Sequence, residues 1–240
     1  ERHQKRILNC FNNVNKIVAN SEYTKNLINE INPGLKNIKI INPGVSNFDN
    51  IIEQDIRLIS GHPTLLTLGR LEKRKGHKYI LHSINNLKKI YPNIRYIIAG
   101  EGEERSYLEK LVSSLNISKN VMFIGSINEG QKKFILKNTN LMVMATIDES
   151  KKRSIEGFGI SYIEAAMFSI PSIASNVGGT SEAVLHNETG MIIDNLDKLE
   201  TTIIDLLGNE IKMKDLGKKA KLRAEEKLSW SEIVKDYNSL

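Results

Sequence analysis

The chain has 240 residues, with 34 Lys or Arg against 28 Asp or Glu, for a formal net charge of +6. That length can bury one sizeable core and part of a second. No apolar run approaches the ~20 residues that span a bilayer, no signal peptide opens the chain, and a lone Cys10 excludes an internal disulfide, which points to a reducing, cytoplasmic compartment. The basic balance suits phosphates, nucleic acid or an anionic membrane surface and selects none of them.

In chain order, Lys16–Ala19 reads as a buried strand, and Ser21 as the N-cap of a helix of about ten residues from Glu22. Asn32-Pro33-Gly34 stops that helix, and Ile38–Ile41 is apolar enough for a second short strand. One strand–helix–strand piece cannot close a core. Residues 1–45 are therefore read as the tail end of a domain, and the start at Glu1 rather than Met as that of a fragment. Residues 46–62 are irregular, with turn signals at each end, and read as a linker.

From residue 63 a strict alternation begins. Strands are expected at Thr64–Leu68, Arg95–Ala99, Val121–Ile124, Leu141–Ala145, Ser172–Ala174 and Met191–Ile193. Helices are expected at His77–Ile90, Glu103–Leu115, Asn128–Asn138, Ile160–Phe168, Thr180–Leu185 and Leu196–Leu207. Continuous apolar runs such as Tyr96-Ile97-Ile98-Ala99 suit buried parallel strands. The fold class is thus α/β, a Rossmann-like parallel sheet with helices on both faces over residues 63–225. A charged helical tail follows from about Ile211, with Trp230 as its large apolar anchor.

Chemistry concentrates in Glu156-Gly157-Phe158-Gly159-Ile160-Ser161-Tyr162-Ile163-Glu164-Ala165-Ala166. Its two glycines let the backbone approach a ligand, and the N–H groups after them would open a helix, which favours an anion such as diphosphate. Glu164, about one turn in, can accept two hydroxyls of a sugar or ribose diol. The competing reading is an ordinary strand–loop–helix joint with two solvated glutamates. A second loop, Gly69-Arg70-Leu71-Glu72-Lys73-Arg74-Lys75-Gly76, follows the first strand of the alternation. Arg70 there can grip a diphosphate through two nitrogens, and Lys75 adds a point charge.

These two segments together resemble the donor site of retaining glycosyltransferases of family 4, whose members have two Rossmann-like domains in the GT-B fold. The resemblance extends from about Lys16 to Leu240, where "ANSEYTKNLI" and "IINPGV" are similar to the end of the N-terminal acceptor domain. It implies that 63–225 is the nucleotide-sugar donor domain and that 226–240 is a helix crossing back toward the N-terminal domain. It further implies that Arg70 and Lys75 bind the donor diphosphate, Glu156 the donor sugar and Glu164 the ribose. Gly69, Gly100, Gly102 and Gly125 would lie along the nucleotide, and Phe158, Gly159 and Ile160 would offer backbone N–H groups. A nucleotide-sugar donor and a glycan or lipid-linked acceptor are the implied partners. No metal or other cofactor is implied, and peripheral association with the inner face of the membrane is plausible from the family alone.

Other residues are read more plainly. Lys73 and Arg74 are taken as solvated, Glu182 as structural, and all five histidines as structural or surface. Gly100-Glu101-Gly102 is not a dinucleotide fingerprint, because Arg105 stands where a third glycine is needed. Walker, Asp-x-Asp, nucleophile-elbow and zinc patterns are absent from the sequence. The charged loop Thr146–Ile155 reads as solvated, although it somewhat resembles the corresponding loop of phosphatidylinositol mannosyltransferases, and Lys151, Lys152 and Arg153 could meet an anionic acceptor or membrane surface. A catalytically silent nucleotide-sugar-binding module, a GT-B sugar-nucleotide epimerase and a nucleic-acid binder are the competing functions. The last has only the net charge in its favour, with no aromatic stacking surface or recognition helix in the sequence.

Overall fold

The structure is a computed structural model that describes residue 6, residues 9–11 and residues 13–240; the rest of the 1–45 unit lies outside the described residues. A small parallel sheet pairs β1 (Ile17–Ala19) with β2 (Ile38–Ile40) across α1 (Glu22–Ile31). Ser21 caps α1 as its position predicts, with extended backbone and its hydroxyl accepting the Thr24 N–H. Helix α1 buries none of its own residues. It therefore depends on what its ends touch.

Residues 46–62 contain no helix or strand, yet they are strapped to the larger unit. Phe48 is buried edge-on against Phe168, with ring centroids 4.9 Å apart. Lys133 Nζ donates to the carbonyls of Phe48 at 2.6 Å and Ile51 at 2.9 Å.

The large sheet has six parallel strands: β3 (Thr64–Leu68), β4 (Arg95–Ala99), β5 (Val121–Gly125), β6 (Leu141–Met144), β7 (Ser172–Ser175) and β8 (Gly190–Ile193). Each strand end lies within one residue of its expected position. The spatial order is β5-β4-β3-β6-β7-β8, so the winding reverses between β3 and β6. In such sheets the crevice at the carboxyl ends of the two strands flanking the reversal is where ligands bind.

Helices α2 (His77–Leu87), α3 (Arg105–Ser114) and α7 (Leu199–Leu207) cover one face, while α4 (Glu129–Lys137) and α5 (Ile160–Ala166) cover the other. The two-residue period of the strands sorts the side chains between them. Leu65, Ile98, Val143 and Ile173 meet Ile80, Leu108 and Ile203 on one side. Leu66, Ile97, Met142 and Ala174 meet Ile135 and Ile163 on the other. The expected helix at Thr180–Leu185 is shortened to α6 (Thr180–Ala183).

The tail forms α8 (Glu210–Lys227) and α9 (Trp230–Asn238). Helix α9 returns to the small sheet: Val45 bridges Ser229, and Lys39 Nζ donates to the Asp236 carbonyl and to Ser239 Oγ. Trp230 is not the buried anchor that its size suggests. It stays 45% exposed and lies over Gly44, where an added Cβ would come within 2.5 Å of the indole. At the first position of the helix it sits at the rim, and Ile233, one turn on, takes the core position.

Candidate functional site

The loops leaving β3, β4 and β5 and the start of α5 enclose an open cleft of about 450 Å³ at the reversal of the sheet. Gly69, Arg70, Gly100, Lys132, Ser161 and Glu164 are among its lining residues. Gly100 is needed there by shape. Its φ is 143°, and a Cβ would sit 2.0 Å from the Gly69 carbonyl oxygen. Of the other expected contacts, Gly125 closes β5 beside Glu101 and Gly102 packs on the Leu71 backbone, and neither is among the residues that line the cleft. Phe158 is buried in the core, so only its backbone could serve a ligand. Gly159 precedes α5 with φ 105°, and Ile160 begins the helix half exposed.

Glu164 projects from α5 onto Lys132 of α4, Oε1 to Nζ 2.7 Å, and Lys132 also holds Glu129 at 2.7 Å. Burial disfavours the Lys132 ammonium, but the two carboxylates outweigh it and raise its pKa. Sequence reading missed Lys132. It lies in an ordinary amphipathic helix, and only the packing of α4 against α5 turns it toward Glu164.

Beside the cleft lies a buried charge cluster. Lys75 runs along Gly69, where an added Cβ would be 3.5 Å from its Cε and 3.7 Å from its Nζ. Its Nζ is 2.6 Å from Glu156 Oε2, and Arg74 Nη1 reaches the same oxygen at 2.6 Å. Arg74 Nη2 meets Glu72 at 3.3 Å, and Arg74 Nε donates to Ser154 Oγ at 3.1 Å. The expectation that Arg74 is solvated is therefore wrong. The residues Lys73–Lys75 form a single 3₁₀ turn that leaves Lys73 outside and carries Arg74 inward, to 6% exposure. A charge run read as a line cannot show that phase.

Burial opposes ionisation of Glu156, but Lys75 and Arg74 overcome it and hold the carboxyl below the usual range. Both cations bind Oε2. Among the described residues, Oε1 has no partner, and it is not sealed from solvent. Arg70 differs from the buried pair: its side chain is 74% exposed and swings to Glu72 at 2.7 Å. Within this cluster two carboxylates face three cations, while the cleft beside it is also lined by Glu101 and Glu164.

Neighbouring groups fix this cluster in place. His77 is buried against the Arg70 carbonyl and the Tyr96 hydroxyl, and burial drives its pKa down to about 4, so it is neutral. Gly178 takes φ 65° under the Glu156 carbonyl, where a Cβ would lie 2.2 Å from the oxygen, and the Gly179 N–H donates to that oxygen at 2.9 Å. Glu182 on α6 accepts the N–H of Glu22 at 2.7 Å and of Tyr23 at 3.0 Å. It is structural, as expected, but it acts across the two units of the chain. In the Thr146–Ile155 loop, Lys151, Lys152 and Arg153 are exposed, while Ser154 is drawn in by Arg74. No helix among the described residues is long and apolar enough to cross a membrane.

Residues 49–223 match the family described as glycosyl transferases group 1. An uncharacterized glycosyltransferase of Methanocaldococcus jannaschii is 29% identical over 174 residues, 72% of this chain and 43% of that protein. A GDP-mannose-dependent alpha-(1-6)-phosphatidylinositol monomannoside mannosyltransferase of Mycolicibacterium smegmatis is 27% identical over 153 residues, 63% of this chain and 40% of that one. The chain thus spans less than half the length of these relatives. Among solved structures, an Anabaena protein in complex with UDP and glucose superposes with a TM-score of 0.80 at 18% identity, over 99% of this chain and 67% of that one. At that identity the likeness is one of fold.

Proposed function

The chain belongs to the glycosyl transferases group 1 family, and we propose that it carries the donor-binding half of a retaining enzyme that moves a sugar from a nucleotide-diphosphate sugar to a glycan or lipid-linked acceptor. The observation that carries this reading is the buried Arg74–Glu156–Lys75 cluster beside a cleft lined by Arg70 and Glu164. A surplus of cations at the carboxyl end of β3 suits a diphosphate leaving group, whose charge grows as the glycosidic bond breaks. Arg70 and Lys75 take the diphosphate, assisted by the backbone N–H groups of Phe158, Gly159 and Ile160. Glu156 accepts hydroxyls of the donor sugar, and Glu164 accepts the ribose diol. In this reading residues 1–45 end the acceptor domain, 46–62 link it to the donor domain at 63–225, and 226–240 cross back. No metal takes part.

Support for the base of the nucleotide is divided, since one relative is named for GDP-mannose and one structural neighbour holds UDP. The test is a melting series with UDP, GDP, ADP and their common sugars, on the wild-type chain and on Glu164→Ala. A ligand at 100 times its Kd adds about 2.7 kcal/mol, which raises Tm by about 5–10 °C for a chain of this size. The expected result is a rise with one base, smaller in the variant. No rise with any nucleotide would remove the donor-site reading.

A further inference from the structure

We propose that Arg74 is a positioning residue for Glu156, a second cation that keeps this carboxylate ionised and correctly turned when Lys75 is drawn away to the donor. The inference rests on the donor-site reading above and adds a residue that the reading does not need for contact with the diphosphate. Lys75 and Arg74 both hold Oε2 of Glu156 at 2.6 Å and leave Oε1 open. Lys75 is a flexible point charge beside Gly69, placed so that it can turn to an incoming phosphate. Arg74 is not free to do so. Its guanidinium is spread over Glu156, Glu72 and Ser154, with Nη1, Nη2 and Nε each engaged, and its side chain is 8% exposed.

The two cations therefore have separate tasks. When donor binding takes the Lys75 ammonium, Glu156 would otherwise be a buried, unpaired carboxylate and would neutralise or turn away. Arg74 remains on Oε2, so Oε1 stays an acceptor aimed at the sugar hydroxyls. The pair Arg74–Ser154 also ties the charged loop to this task, because Ser154 is the only non-carboxylate partner of the guanidinium among the described residues.

The test is calorimetric titration of the whole chain with two matched pairs, UDP against UDP-glucose and GDP against GDP-mannose. In the wild type, the nucleotide sugar of the preferred base binds more tightly than its diphosphate, and between pH 8 and pH 5 this ratio changes only as the terminal phosphate of the diphosphate takes up its proton at about pH 6, which sets the baseline for the variants. Arg74→Met should reduce the ratio about tenfold and change diphosphate affinity about threefold or less. Its residual ratio should fall below the wild-type baseline as the pH is lowered toward 5, as the less supported Glu156 takes up a proton. Arg74→Lys should restore part of the ratio and bring its pH profile back toward the wild-type baseline. Ser154→Ala, which loosens the guanidinium without removing its charge, should give a smaller loss of the same kind and serves if Arg74→Met does not fold. An unchanged ratio in the folded Arg74→Met and Ser154→Ala proteins would overturn the inference and leave the donor site standing, as would wild-type binding of a diphosphate with no gain from its sugar. Wild-type failure to bind any of the four ligands would overturn the donor-site reading and this inference with it.

Discussion

Glu182 offers the sharpest test of how the two units of the chain are joined. Its carboxylate accepts the N–H groups of Glu22 and Tyr23, two of the donors that open α1 and cannot be satisfied within that helix. The backbone that carries the side chain is held in turn, because Arg223 donates to the Glu182 carbonyl at 2.6 Å and to the Ala183 carbonyl at 2.8 Å. Glu182→Ala removes both acceptors and the negative charge at the positive end of the α1 dipole. Two partly exposed, charge-assisted bonds contribute roughly 0.5–1 kcal/mol each, and the dipole about 0.5 kcal/mol. The total is about 2 kcal/mol, a factor of about thirty in an opening equilibrium. Since α1 buries no residue, nothing in the core offsets that loss. Ser21 still caps Thr24, so the helix survives while its docking weakens. Hydrogen exchange should show the amides of residues 22–31 accelerating about tenfold to thirtyfold, with the β3–β8 amides unchanged. Equal protection of α1 in the variant would refute the latch. A uniform acceleration of every amide would mean that Glu182 stabilises the large sheet and does not join the units.

Two further changes probe the site itself. Glu72 holds Arg70 and shares Arg74, so Glu72→Gln should release Arg70 to the diphosphate and tighten UDP or GDP binding up to about fivefold by titration, the scale of one exposed ion pair; weaker binding would mean that Glu72 orients Arg70 productively. His77 is neutral in the fold, with its pKa driven down to about 4 from an ordinary 6.5. The unfolded chain therefore takes up a proton first as pH falls. Stability is full above pH 6.5 and declines by roughly 3 kcal/mol toward pH 4, and this decline should disappear from urea melts of His77→Asn.

The large sheet was legible because each strand is a short, nearly continuous apolar run between glycine, proline or asparagine turns, a pattern that buried parallel strands require. That Arg70, Lys75, Glu156 and Glu164 stand in loops and a helix start at the carboxyl ends of β3 and β6 was legible, because their spacing from those strands is fixed by local chain geometry. Their partners were not. Lys132 and Glu164 are 32 positions apart, Arg74 and Glu156 are 82 apart, and Glu22 and Glu182 are 160 apart. Each such pairing depends on which helix packs beside which, and no local period encodes that. Trp230 failed for a related reason, since size and apolarity mark a residue for burial but helix phase decides which face is turned inward. Gly102 lies against the Leu71 backbone, and a glycine that lets two backbones touch looks, in one dimension, the same as a glycine that admits a ligand.

The charge balance of the site bears on what the 240 residues can do alone. In the proposed reading Arg70 and Lys75 take the diphosphate and Glu164, held by Lys132, takes the ribose, so donor binding asks only for residues of this chain. Transfer asks for more: an acceptor hydroxyl placed against the anomeric carbon, and water kept from that carbon while the diphosphate leaves. The cleft is open, and the chain spans 43% and 40% of two of its relatives. The expected outcome is therefore donor binding without transfer. Incubation with the preferred nucleotide sugar and a mannosyl or glucosyl lipid or oligosaccharide should give no elongated product, and any hydrolysis should be slow. An elongated product, abolished in Glu156→Gln, would show that these residues carry acceptor recognition as well, and that the division of labour between the halves is drawn elsewhere.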